Sequence, residues 1–321
     1  MPAKEYVTIR FARWAGDQNE SLRFFKFLIE PIVKKPLRFI TDQSMKVDIE
    51  ISSVYGEPGP TDLLSKITRL LHSKTPGGVP FGSWAKGFNL QPNKKALVNI
   101  FYTGENERPP YGNWDAYLTF DLHDYQGKNA YLPLWWITCT DVAGPNTAPY
   151  LNEPISIKAL MNKREVRFEE RRKFCVAFIG KAYPFRMQAL SLISSIENVE
   201  VYGAIARKDV SSKFKASRDF RFVFAFENDL FPGYVTEKVI EAWATGAIPL
   251  YWGSDPLNYI NPEAIINLND FSSFQDFLAR VAEVNENKSL WEQIASQPIL
   301  LKKPDLSETN YVLKKALKVL T

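Results

Sequence analysis

Cysteine and histidine are scarce in this sequence of 321 residues, which holds only Cys139, Cys175, His72 and His123. Two cysteines make no disulfide framework. With no Cys-x-x-Cys pair and so few histidines, a His/Cys metal cluster is not expected, and the plainer reading is two buried thiols. Glycine-based phosphate loops are missing too: the chain has no Gly-x-Gly, no GxxxxGK[ST] and no Gly-x-Ser-x-Gly. It also has no Asp-x-Asp, which removes the usual metal bridge to a nucleotide-sugar diphosphate. A phosphorylated ligand would have to be held by side-chain cations and helix N-termini. No apolar run reaches the roughly 20 residues of a membrane span. The opening MPAKEYVTIRFARW lacks the basic-then-apolar order of a secretory signal. The expectation is a soluble protein of a reducing compartment.

Charge of one sign is also in short supply. Lys plus Arg number 40 against 36 Asp plus Glu, a net charge of +4. Nucleic-acid proteins concentrate far more basic charge, so no nucleic-acid partner is expected. What the chain does have is apolar and aromatic mass: 45% hydrophobic residues, with 22 Phe, 14 Tyr and 8 Trp. That composition excludes disorder, collagen and coiled coil, and the length fits about two domains.

Strand and helix patterns alternate along most of the chain. Strands are expected at 6–14, 96–102 and 115–121, and a half-buried one at 45–53, where apolar and polar residues alternate. Helices are expected at 21–30, ended by Pro31, and at about 61–72, with a Pro/Gly/aromatic loop over 77–88. Residues 138–154 lack periodicity and hold Pro145, Pro149 and Pro154, so a domain boundary is placed there. The alternation then resumes, with strands at 174–179, 199–202, 220–226, 248–252 and 264–268 and helices at 185–196, 235–245 and 274–285. Strands separated by helices argue for parallel sheets, hence an α/β protein with two Rossmann-like domains facing a cleft. The domains are 1–154, 155–304 and a C-terminal helix, 305–321, apolar on one face and basic on the other. This helix is expected to dock back on the N-terminal domain, with weak contact to an anionic membrane surface as the alternative.

Residues 220–254, FRFVFAFENDLFPGYVTEKVIEAWATGAIPLYWGS, are the densest in site chemistry. A buried strand ends in Glu227-Asn228, a turn follows at Pro232-Gly233, and a helix opens with Thr236, Glu237 and Lys238. The carboxyl edge of a parallel sheet is where ligands bind. A helix N-terminus favours phosphate and disfavours a cation, so Lys238 is out of place unless an anion joins it. The local alternative is an acid-capped helix start with a solvated lysine.

Phe226-Glu227-Asn228, Gly233 to Lys238 and Ile248 to Ser254 resemble the signature of the α-1,3/4-fucosyltransferases, glycosyltransferase family 10, of bacterial type. Phe101-Tyr102-Thr103-Gly104-Glu105-Asn106-Glu107, Leu132-Pro133-Leu134, Trp14 with Gly16-Asp17, and Pro184-Phe185-Arg186 resemble it as well. The resemblance implies the GT-B arrangement and transfer of L-fucose from GDP-β-L-fucose, with inversion. The acceptor would be a GlcNAc or Glc hydroxyl of N-acetyllactosamine- or lactose-type glycans, as in Lewis-antigen and lipopolysaccharide chains. A different GDP-sugar or acceptor, α-1,4 linkage, or a non-catalytic nucleotide-sugar-binding protein are the alternatives.

By the same resemblance Arg186 and Lys238 stabilise the departing GDP, and no divalent metal or other cofactor is required. Glu227, Asn228, Tyr234 and Glu237 join them in donor binding; of Glu227 and Asn228, one binds the donor and the other satisfies backbone groups in the turn. Lys181 and Tyr183 could flank the nucleotide. Glu105 is the general base, with Glu107 its competitor or an acceptor-binding residue and His123 the rival by chemistry alone. Trp14 is the acceptor-binding aromatic, and Trp84, Trp114, Trp135 and Trp136 are further stacking candidates. The missing N-terminal anchor and Cys pairs of animal members imply a cytoplasmic bacterial enzyme, peripheral at the inner membrane face if the basic helix binds lipid.

Overall fold

The computed structural model describes residues 4–14, 18–55, 90–107, 112–139 and 155–321. The expected helix at 61–72, the loop at 77–88, Trp84, Gly16-Asp17 and most of the 138–154 segment lie outside them. The chain forms two compact units, 1–134 with 305–321, and 135–304.

The first unit is built on a parallel sheet of six strands. These are β1 (Val7–Ala12), β2 (Leu37–Phe39), β3 (Val47–Ser52), β4 (Ala96–Tyr102), β5 (Ala116–Thr119) and β6 (Asn129–Tyr131), in the order β2-β1-β3-β4-β5-β6. β3 differs from the half-buried strand expected at 45–53, because all six of its positions are buried. Its polar positions are paired inside the sheet. Asp48 accepts from the Thr8 amide at 2.8 Å, and Glu50 accepts from Arg10 Nε at 3.0 Å and Asn93 Nδ2 at 2.6 Å. Alternation here therefore marks one buried ion pair, Arg10–Glu50, and a hydrogen-bonded carboxylate, and not a wet face.

Helix α1 (Gln18–Val33) also runs past the expected stop, with Pro31 inside it. Proline removes only its own N–H, and the Lys34 amide reaches back to the Glu30 carbonyl at 2.8 Å, so the turn closes around it. The buried Ile29 and Val33 hold that last turn on the core.

The second unit has five parallel strands: β7 (Lys173–Phe178), β8 (Val199–Tyr202), β9 (Phe220–Phe226), β10 (Ile248–Trp252) and β11 (Ile266–Asn267), in the order β11-β10-β9-β7-β8. β11 is shorter than the strand expected at 264–268, since 3-10 turns flank it. Two short helices, α2 (Leu134–Ile137) and α3 (Ile157–Leu160), precede β7. The helices that follow the strands are α4 (Pro184–Ile193), α5 (Lys213–Ser217), α6 (Glu237–Ala244), α7 (Phe274–Glu286) and α8 (Lys288–Ala295). One face of the sheet, carrying Cys175, Phe222, Phe224 and Phe226, forms a core with Ile193, Phe277, Val281 and Trp291. Both cysteines are free and buried, and burial pushes the Cys175 thiol's pKa up.

The division between units falls in α2, at Leu134/Trp135, and not at 154/155. The buried rings of Trp135 and Trp136 meet Tyr259 edge-on at 5.8 and 5.6 Å, which ties α2 to the second unit well before the proline-rich stretch. At the other end α9 (Ser307–Ala316) packs on α1, β5 and β6 of the first unit. It buries Val312, Leu313 and Ala316, so its apolar face is covered while Lys314, Lys315 and Tyr311 face outward. No helix among the described residues is long and apolar enough to cross a membrane.

Candidate active site

The second unit gathers its charges where β9 hands over to α6. Phe226 ends the strand, and the Glu227 amide still donates to the Trp252 carbonyl at 2.9 Å, holding the exit of β9 against β10. The chain then turns through Gly233, whose φ of +86° suits glycine, while the Gly233 amide donates to the Ser254 carbonyl at 3.0 Å. Thr236 is the N-cap of α6, so Glu237 and Lys238 are its first two residues.

Glu227 is fully buried beneath this helix start. Its carboxylate accepts from the Thr236 amide at 2.8 Å, from Thr236 Oγ1 at 2.7 Å and from Lys238 Nζ at 3.3 Å. Burial pushes the Glu227 carboxyl's pKa up, and Lys238 opposes the shift. Lys238 Nζ also donates to Thr236 Oγ1 at 2.9 Å and lies 3.8 Å from Glu237 Oε1. Between the two roles held open for Glu227 and Asn228, Glu227 is the one that satisfies the turn, and it fixes the Lys238 ammonium. The carboxylate is thereby occupied and shielded from solvent.

Asn228, the next residue, has a different partner. Its Oδ1 accepts from Arg186 Nη1 at 2.8 Å. Arg186 lies in the first turn of α4, is only 4% exposed, and stands 5.8 Å from the Phe224 ring. Burial lowers its pKa, against the pull of Glu227, and a guanidinium keeps its charge through such a shift. Among the described residues its Nε has no hydrogen-bond partner. The helix N-terminus beside it has no side-chain cap, Tyr183 being the N-cap residue. Tyr234 is buried at the turn, and Lys181 is exposed ahead of α4. Burial would raise the Glu237 carboxyl, but the Lys238 and Lys213 ammoniums bring it below the usual range.

A cavity of about 30 Å3 brings Arg186 and Lys238 together with two residues that sequence reasoning did not single out, Lys213 and Glu241. Lys213 Nζ donates to Glu241 Oε2 at 2.8 Å. The Glu241 carboxyl is pushed up by burial and by Glu237, and pulled down by Lys213. Nothing in the spacing of Lys213 marks it. Glu241, one turn beyond Glu237 on the same helix face, was the only available sign.

At its far end α6 is clamped by two more unanticipated residues. Arg164 donates to the Trp243 carbonyl, to Ala247 O at 3.0 Å and to Ala295 O at 2.7 Å, and Arg171 donates to Thr245 O at 3.1 Å. Cations suit this negative end of the helix dipole. They hold the helix by the end opposite Lys238.

In the first unit Glu105 follows β4. Its amide donates to Thr103 Oγ1 at 3.1 Å, and its half-buried carboxylate accepts from Tyr55 OH at 2.8 Å. Glu107 is 7% exposed, deeper in the loop, and its amide donates to the Glu105 carbonyl at 2.7 Å. His123 is exposed, its ring edge-on to Tyr125 at 4.7 Å. Trp14 is half-buried in an aromatic cluster. Its indole N–H donates to Ser21 Oγ at 2.8 Å, and its ring stacks on Tyr102 at 5.4 Å. The face on Tyr102 is therefore already used. Trp114, Trp135 and Trp136 are buried in cores, which removes them as sugar platforms.

The profile of the glycosyltransferase family 10 (fucosyltransferase) C-terminal domain matches residues 169–295, which hold Arg186, Lys213, Asn228, Lys238 and Glu241. An alpha-(1,3)-fucosyltransferase of Helicobacter pylori is 27% identical over 237 residues, covering 67% of this chain and 49% of that protein. Residues 169–295 form a glycosyltransferase family 10 domain. A second relative, the 3-galactosyl-N-acetylglucosaminide 4-alpha-L-fucosyltransferase of Bos taurus, is 33% identical over 50% of this chain and 42% of its own length. The chain thus spans about half the length of these curated relatives. Among solved structures, an α1,3-fucosyltransferase matches with a TM-score of 0.64 at 20% identity, over 98% of this chain and 90% of that one. The same protein class solved with GDP-fucose gives 0.62 at 20% identity, over 100% and 92%. This likeness gives the fold: two parallel-sheet α/β domains of the GT-B class.

Proposed function

We propose that this chain is an inverting α-1,3-fucosyltransferase. It moves L-fucose from GDP-β-L-fucose to a GlcNAc or Glc hydroxyl of N-acetyllactosamine- or lactose-type glycans. The observation that carries the reading is the pair of cations on one cavity between β9 and α6, Arg186 held by Asn228 and Lys238 held by Glu227. The family 10 domain at 169–295 and the activity named for the Helicobacter pylori relative support it. The α-1,4 linkage remains the second reading, favoured by the name of the bovine relative.

Direct displacement at the sugar carbon needs charge stabilisation on the departing diphosphate and a base on the acceptor hydroxyl. Arg186 presents a planar fork to phosphate oxygens, and Lys238 adds a point charge. Glu227 is the positioning residue for Lys238, and Asn228 for Arg186. With two fixed cations on the leaving group, turnover is proposed to need no divalent ion. Glu105 takes the acceptor proton in preference to Glu107, whose carboxylate is buried within the loop, and Tyr55 orients it.

The test is GDP release on mixing the purified protein with GDP-fucose, with and without N-acetyllactosamine or lactose, and with a chelator. Acceptor-dependent release that survives the chelator is the expected result. GDP-fucose binding without acceptor-dependent release refutes transfer to these glycans, and activity abolished by the chelator refutes the two-cation account.

A further inference from the structure

Two cations account for the proposed donor site, yet the same cavity carries a third. Lys213 is the first residue of α5, which Ser212 caps by accepting from the Lys215 amide. Lys213 Nζ lies 5.9 Å from the Phe178 ring, another wall of the cavity, and 2.8 Å from Glu241 Oε2. Glu241 is 3% exposed.

The ion pair does not complete the chemistry of the cavity. Among the described residues Glu241 Oε1 and Arg186 Nε are buried polar atoms without a hydrogen-bond partner. Buried polar groups are seldom left so, and an orphaned guanidinium N–H beside two ammoniums on one cavity points to an anionic oxygen. An ammonium has three N–H donors, so Lys213 can keep its bond to Glu241 while another N–H reaches an anionic oxygen.

We propose that Lys213 is a third cation of the nucleoside-diphosphate site, with Glu241 as the residue that positions it. This rests on the donor reading given above. Negative charge grows on the diphosphate as its bond to the sugar breaks, and cations already in place stabilise that charge without reorganisation. Lys213 and Lys238 approach the cavity from different elements, α5 and α6, and Arg186 from a third, α4. Three separately anchored donors define a position for the diphosphate that two would leave free to pivot.

The experiment is calorimetric titration with GDP and with guanosine, of wild type, Glu241→Gln, Lys213→Met and the double variant. Lys213→Met alone leaves Glu241 buried without its ion-pair partner, which endangers folding. The comparison that decides is the double variant against Glu241→Gln, since both lack the buried carboxylate. Glu241→Gln removes the anchor of Lys213 together with a negative charge beside the diphosphate, and serves as the reference for the double variant. Adding Lys213→Met is expected to weaken GDP about 10- to 100-fold, the worth of one charge-assisted hydrogen bond, with guanosine unaffected. Equal GDP affinity in the two variants overturns the proposal, as does equal weakening of GDP and guanosine, which would mark a structural role. A wild-type protein that binds no GDP overturns the donor reading itself.

Discussion

Replacing Thr236 with valine keeps the side chain's shape and removes one oxygen on which three contacts converge. Thr236 Oγ1 donates to Glu227 Oε2 at 2.7 Å, accepts from Lys238 Nζ at 2.9 Å, and caps α6 by accepting from the Lys238 amide at 3.5 Å. Loss of an N-cap costs about 1 kcal/mol, and loss of a hydrogen bond to a charged group about 1.5–3 kcal/mol. One atom serves both roles, so the two overlap, and about 2–4 kcal/mol is the expected total. For a domain of this size that lowers the midpoint by about 5–15 °C in scanning calorimetry. Thr236→Ser keeps the oxygen and should retain most of the stability. Lys238 also loses a partner, so GDP binding to the folded valine variant should weaken. A valine variant that melts within about 2 °C of wild type would refute the reasoning. It would mean that Glu227 gets its stabilisation elsewhere and that Lys238 is not held through Thr236.

Glu105→Gln should lower turnover by about 100- to 10,000-fold while leaving GDP affinity unchanged, as expected for a lost general base. An unchanged rate removes Glu105 from that role, and a larger loss in Glu107→Gln transfers the role to Glu107. Asp48 offers a pH test of the first unit. Burial alone would raise its pKa, but the Thr8 amide and hydroxyl and the Lys4 ammonium bring it below its ordinary 3.8. A depressed carboxylate contributes stability that is present above the unfolded value and lost as pH falls through the folded one. Asp48→Asn should therefore be less stable than wild type at neutral pH, with the gap closing in acid. A gap that stays constant from about pH 6 to about pH 2.5 would rule this out.

Much of the fold was legible because strand and helix periods differ and proline and glycine punctuate them. The runs 96–102, 220–226 and 248–252 are strands because both faces of a parallel sheet are covered and every residue there can be apolar. Where that logic failed, tertiary contacts overrode a local sign. Asp48 and Glu50 looked like a wet face and are paired inside the sheet, and Pro31 looked like a stop but sits within a helix that its neighbours hold in place.

The sequence by itself determined the α/β class and the motif around Glu227-Asn228 and Thr236-Glu237-Lys238. These are local facts, set by residue order and by the geometry of a strand leading into a helix. Only the tertiary structure decided that Glu227 lies under the helix and holds Lys238, that Asn228 orients Arg186, and that Trp135 and Trp136 belong to a core. It also decided that Lys213, from another helix, shares the cavity with Glu241. Those outcomes depend on which side chains lose water together. A carboxylate that reads as a ligand contact in the sequence becomes a support when burial leaves it no solvent and a neighbouring ammonium and hydroxyl satisfy it.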